Sequence, residues 1–113
     1  MTTDSECLFC KIVAGDIPAT IRHQDEHITA FDDISPQAPT HILVIPNTHV
    51  VSLSETDDPE IYANVLLGIK EVAHKLGLKD FRVAINNGAG AGQTVFHLHA
   101  HLLSGRKLTW PPG

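Results

Sequence analysis

His97-Leu98-His99-Ala100-His101-Leu102-Leu103 sets three imidazoles at every second position of one short run. Side chains on a strand alternate between its two faces, so this spacing puts all three rings on one face and Leu98, Ala100 and Leu102 on the other. A strand over 95–103 is therefore predicted, with its leucine face toward a core. Neutral imidazole offers a ligating or nucleophilic nitrogen and an N–H donor near neutral pH, which gives a row of three a chemical use. Same-face positions lie about 6.5–7 Å apart along a strand, so three ligands from one straight strand do not easily converge on one zinc ion. The row suits an extended substrate better. The plain alternative, a solvated edge strand, fits one histidine more readily than three in strict alternation.

Upstream, Asn86-Asn87-Gly88-Ala89-Gly90-Ala91-Gly92-Gln93-Thr94 is glycine-rich, but it lacks the Gly-Lys-Ser/Thr ending of a P-loop and leads into a strand. From the residues alone it is either a flexible hairpin or a phosphate-contacting turn. Ile61, Val65, Ile69, Val72, Ala73 and Leu76 recur at three and four residues, the period of an amphipathic helix. Asp58 suits its N-cap, Pro59 its first position, Glu60 its positive end and Gly77 its left-handed stop. His41-Ile42-Leu43-Val44-Ile45 is apolar on both faces after its first residue and ends at Pro46, as expected of a central strand. Two short strands over 21–24 and 28–31 flank the polar turn Gln24-Asp25-Glu26-His27, and 81–86 alternates like a further strand. A short helix over 7–14 ends at Gly15. Two helices and five strands joined mostly by short turns predict an α+β domain over 1–113, a mostly antiparallel sheet with helices covering one face.

With 113 residues, 42% hydrophobic and 19% charged, the composition is that of one globular domain and not of a disordered chain. No apolar run approaches the roughly 20 residues of a membrane span. The polar, acidic start is unlike a signal peptide, so a cytoplasmic location is expected. Eight Lys and Arg against thirteen Asp and Glu give a net charge of -5, which disfavours an extended nucleic-acid ligand. A small phosphorylated ligand held by amides and imidazoles remains open.

The histidine row resembles the His-x-His-x-His signature of the histidine-triad family of nucleotide hydrolases and transferases. The likeness extends through Phe31-Asp32-Asp33-Ile34-Ser35-Pro36-Gln37-Ala38-Pro39-Thr40-His41, Leu43-Val44-Ile45-Pro46, Gly92-Gln93-Thr94-Val95-Phe96 and the ending Trp110-Pro111-Pro112-Gly113, which are similar to the family's phosphoramidase branch. The resemblance implies hydrolysis of a purine nucleoside phosphoramidate of the adenosine 5'-monophosphoramidase type. P–N cleavage would release a nucleoside monophosphate through a covalent nucleotidyl-histidine, with no cofactor needed for the chemistry. Dinucleoside polyphosphate hydrolysis, and a nucleotide-binding regulatory module, are the other readings.

By the same resemblance His99 is the nucleophile, His101 contacts the phosphoryl oxygens or leaving group, and His41 and His97 extend the proton network. Leu8, Phe9, Ile12, Phe31 and Ile34 would wall the base and ribose site, with Asp33 accepting from ribose hydroxyls. Asn86, Gln93 and Thr94 would meet phosphate and ribose. Thr94 stands where that branch more often has serine, which keeps the hydroxyl and adds a methyl group.

Cys7-Leu8-Phe9-Cys10 supplies half of a zinc site, and two cysteines in a cytosolic chain favour metal or redox chemistry over a structural disulfide. Some relatives complete a Cys₂His₂ set, which here implies Cys7, Cys10, His49 and His97 around a structural zinc. The phosphoramidase branch commonly lacks both cysteines, so a free buried thiol pair is the alternative. His97 serves either the metal or the proton network. His23, His27 and His74 carry no catalytic expectation, and the C-terminal ending implies a homodimer.

Overall fold

The computed structural model describes residues 3–113. Helix α1 (Leu8–Ala14) opens with the Cys7 sulfur accepting from the Cys10 amide at 3.3 Å and closes at Gly15, whose φ of 81° admits the left-handed turn. Strands β1 (Ile21–Gln24) and β2 (Ile28–Asp32) form a hairpin, fastened at its turn by Asp25 Oδ1, which accepts from the amides of His27 and Ile28 at 2.8 and 2.9 Å. Strand β3 (Thr40–Pro46) is followed by α2 (Pro59–Lys75), then by β4 (Arg82–Ala84) and β5 (Ala100–Ser104). Asp58 caps α2 through its carboxylate on the Glu60 amide, Pro59 begins the helix, and Gly77 takes a positive φ beyond its end.

The five strands form one antiparallel sheet in the order β1-β2-β3-β5-β4. Alternation along β3 decides what each face holds. Ile42 and Val44 join Ile28, Ala30, Ala100 and Leu102 beneath Val65, Ile69 and Val72 of α2. Leu43 and Ile45 point the other way, to Phe31 and to Phe9 and Ile12 of α1. The helices thus lie on opposite faces of the sheet, not together on one face as the element order predicts, because a strand apolar on both sides needs a cover on each. Gly68 lets α2 approach closely: a Cβ there would lie 2.9 Å from Ile28 Cγ1.

Two strands are shorter than their sequence pattern. β5 begins at Ala100 and not at residue 95: its ladder with β3 stops at the Val44–Ala100 pair, and Pro46, next along β3 on the same face as Val44, has no amide proton to extend it. Leu98 instead donates its amide to Val50 O at 2.6 Å. β4 is confined to Arg82–Ala84, since Asn87 leaves the sheet to accept from the Ser54 amide at 2.9 Å. Single turns of 3-10 helix at Leu53–Glu55 and Ala89–Ala91 complete the connections. Trp110, on the terminal segment, is 81% exposed.

Candidate active site and metal cluster

The period of two carries His41 (β3) and His101 (β5) onto the α1 face, because Leu43, which shares the face of His41, is paired with His101. His99 follows onto the same side, with its ring centroid 5.1 Å from that of His101. A cavity of about 960 Å³ opens there, walled by Leu8, Phe9, Ile12 and Phe31 and reached by His41, His99 and His101. A second cavity, about 780 Å³, lies beyond the end of α2 beside Lys79, Arg82, Arg106 and Lys107 and has no histidine or cysteine in its lining.

Hydrogen-bond partners assign the tautomers in the first cavity. His99 Nδ1 lies 2.8 Å from His97 O, so it carries the proton and leaves Nε2 as a bare lone pair. The Gln37 amide donates to His41 Nδ1 at 3.0 Å, which puts the proton of neutral His41 on Nε2. That Nε2–H donates to His101 Nδ1 at 2.9 Å, and His101 therefore carries its own proton on Nε2. Asp33 Oδ2 stands 3.4 Å from His41 Nε2 and steadies any positive charge on the pair. Burial pushes both His99 and His101 below the ordinary imidazole range, favouring the neutral forms this relay requires. Two adjacent rings thus present opposite chemistry, a lone pair and an acidic N–H.

His97 serves a different site. Its ring is fully buried and turned to the N-terminal cysteines, with Nδ1 at 3.4 Å from Cys7 Sγ, 3.6 Å from Cys10 Sγ and 3.2 Å from His49 Nδ1. Cys10 Sγ lies 3.4 Å from His49 Nδ1, and all four donor atoms fall within 4.8 Å of one another. Tetrahedral zinc with ordinary bond lengths separates S and N ligands by about 3.6 Å and two N ligands by about 3.3 Å. The cluster fits that ion. His97 Nε2–H donates to Pro46 O at 2.8 Å, which fixes the tautomer that leaves Nδ1 free to ligate. Burial holds His97 at about 4, so the imidazole is neutral as ligation demands, whereas burial raises the Cys10 thiol, whose proton a bound cation would displace. Of the two roles expected of His97, the geometry favours the cluster: its ring nitrogens face the cluster and Pro46, and its carbonyl reaches His99.

Of the residues expected around a nucleotide, Leu8, Phe9, Ile12, Phe31, Asp33, Ile34 and Thr94 line the cavity. Asn86 and Gln93 do not. Gln93 is buried and spends its amide on the backbone, accepting from Gly88 N at 2.8 Å and donating to Val51 O and Val95 O at 2.8 and 3.1 Å. It braces the glycine-rich turn. Asp33 faces His41 as well as the cavity, so its carboxylate has a partner other than a ribose. Sequence reasoning missed Gln37, whose amide sets the His41 tautomer, and Asp4, whose carboxylate lies 3.9 Å from His49 Nε2. Neither had a signal in spacing, since one acts through its backbone and the other lies outside any motif. Among the described residues no helix is long and apolar enough to cross a membrane.

A family model described as HIT domain matches residues 14–108, so the cysteine pair lies just outside the matched span. A 14 kDa zinc-binding protein of Zea mays is 45% identical over 115 residues, which cover 97% of this chain and 90% of that one. Among solved structures, a HIT family hydrolase from Legionella pneumophila superposes with a TM-score of 0.91 at 48% identity, covering 96% of this chain and 100% of the other. A zinc-bound histidine triad family protein from Mycobacterium smegmatis gives 0.82 at 39% identity, covering 93% and 81%.

Proposed function

This chain belongs to the HIT domain family, and from that premise we propose that it is a hydrolase of purine nucleoside phosphoramidates, of the adenosine 5'-monophosphoramidase type. The observation that carries this reading is the pairing of tautomers across the cavity: His99 offers a lone pair beside a His101 that offers a proton. A hydrolase name on a relative that this chain matches along 96% of its length supports the reaction class. The ending Trp110-Pro111-Pro112-Gly113 favours the phosphoramidase branch over dinucleoside polyphosphate hydrolysis.

In this mechanism His99 Nε2 attacks the α-phosphorus and the P–N bond breaks. The leaving amine takes the Nε2 proton of His101 while His41 Nε2–H shifts toward His101 Nδ1. The negative charge left on this two-ring relay is offset by the positive charge of the nucleotidyl-His99 ring, which keeps its Nδ1–H, until water returns the proton. Water then attacks the nucleotidyl-His99 phosphorus, returning its proton to the relay and releasing the monophosphate. Thr94, exposed at the cavity, supplies donors to the phosphoryl oxygens. Leu8, Phe9, Ile12, Phe31 and Ile34 enclose the base with little polar discrimination between purines.

Cys7, Cys10, His49 and His97 would hold a structural zinc, whose contribution is to tie the N-terminal helix to the sheet. Free thiols in such a set suit a reducing compartment, in keeping with a cytoplasmic location. The protein would act as a homodimer. Leu66 and Leu67 of α2 and Phe81 and Val83 at the β4 edge are exposed, an apolar surface that a second copy would cover.

The test is turnover of an adenosine phosphoramidate and a diadenosine polyphosphate side by side, with His99→Ala as control. P–N cleavage lost in the variant, and a nucleotidyl adduct on His99 in quenched wild-type reactions, are expected. Faster polyphosphate cleavage would move the assignment to that substrate. Micromolar binding of nucleotide without turnover of either would leave a binding module.

A further inference from the structure

His97 is placed to act in two directions at once. Its ring belongs to the metal cluster through Nδ1 and to Pro46 through Nε2, while its carbonyl oxygen accepts from His99 Nδ1 at 2.8 Å. The same residue therefore anchors the cluster and sets the proton position of the ring proposed to attack phosphorus. A second connection runs through α1. Phe9 stands between the two cysteines in sequence, and its ring meets the His99 ring edge-on, with centroids 5.1 Å apart and planes at 88°. Phe9 is itself wedged against Phe31 at 5.3 Å and His97 at 6.0 Å. Helix α1 has only seven residues, and isolated helices of that length are unstable in water, so its position depends on the packing of Phe9 and Ile12 against Phe31, Leu43 and Ile45 and on what holds Cys7 and Cys10.

We propose that His97 and Phe9 are positioning residues through which the occupied Cys7–Cys10–His49–His97 cluster fixes the orientation and tautomer of His99. The cluster then does more than staple the N-terminus. The ligand set clamps the residue 97 backbone, so the carbonyl that accepts from His99 Nδ1 stays in place, and it holds α1 so that Phe9 closes the other side of the ring. His49 and the cysteines do not themselves line the cavity, so the coupling runs through their neighbours. The inference rests on His99 being the nucleophile only for its catalytic consequence, and the coupling itself is testable without turnover.

The experiment compares zinc-loaded wild type, the same protein after chelation and reloading, His49→Ala and Phe9→Leu. His49→Ala weakens the cluster while touching neither His99 nor the cavity. Phe9→Leu leaves all four ligands intact. Bound zinc is counted, cooperative unfolding is checked by circular dichroism, and the His99 ring nitrogens are followed by ¹⁵N NMR after assignment with His99→Gln. Zinc-loaded wild type is expected to give one Nδ1–H tautomer. Chelated wild type and His49→Ala, still folded, are expected to give a tautomer mixture and a kcat about tenfold lower. Zinc should restore the wild type, and Phe9→Leu should show part of the change with zinc retained. Identical His99 signals with and without zinc, or a wild type that takes up no zinc, would overturn the proposal. Turnover surviving in His99→Ala would overturn the proposed function and leave the coupling standing.

Discussion

His41 Nε2 lies 2.9 Å from His101 Nδ1, and the Gln37 amide at 3.0 Å from His41 Nδ1 decides which way the proton between the two rings runs. A backbone amide on β3's approach loop thereby sets the acidity presented by a side chain on β5. Replacing His41 removes the donor that holds His101 in its Nε2–H form. His41→Ala is expected to lower kcat by about 100-fold, the ordinary contribution of a general acid. The loss should be larger for an alkylamine leaving group, which must be protonated, than for a weakly basic arylamine. Equal losses on both would place His41 outside proton transfer.

Burial keeps His99 and His101 below the usual imidazole range. The attacking ring is active when neutral, so kcat/KM is expected to stay flat as pH falls through about 6.5 and to decline only below it. The same depression links stability to pH. The unfolded chain takes up protons first as pH drops below about 6.5, so stability is full above that value and is lost progressively toward the lower folded-state values. Rate profiles and urea midpoints between pH 4.5 and 8 check both signs. An acid limb centred above 6.5 would contradict the lowering by burial.

Gln93 makes three hydrogen bonds to backbone groups from a buried position. Gln93→Ala strands the Val51 carbonyl and the Gly88 amide and is expected to cost about 1–3 kcal/mol, visible as a lower thermal midpoint. A variant as stable as wild type but raised in KM would restore Gln93 to the phosphate.

If a second copy covers α2 and the β4 edge, charge placed there should prevent association. Leu66→Glu with Leu67→Glu is expected to yield monomers in sedimentation velocity, with little loss of fold because both residues are more than half exposed. A wild type that already sediments as a monomer would remove the homodimer from the proposal.

Most of the architecture was legible in local pattern. Asp58-Pro59 and Gly77 marked both ends of α2, and the alternation at 97–103 put the imidazoles opposite the leucine face. Strand lengths were not, because a ladder needs a partner: β5 starts only where Val44 meets Ala100, and Pro46, just beyond that pair on β3, offers no amide to carry the pairing further, a fact written far from β5 in sequence. The cavity wall at Leu8, Phe9, Phe31 and Ile34 came with the family resemblance, and so did the Cys₂His₂ set. The division of labour within the histidine row had no local signal. His97, His99 and His101 look equivalent in sequence, and only the fold gives one to a thiol cluster, one to a carbonyl and one to His41.

Trp110, the chain's sole tryptophan, is 81% exposed on the terminal segment. Indole emission from the isolated subunit is therefore nearly blind to melting of the interior: its maximum should sit at a water-like wavelength both before and after denaturation. That silence is useful, since any blue shift that grows with concentration reports the tail finding a cover.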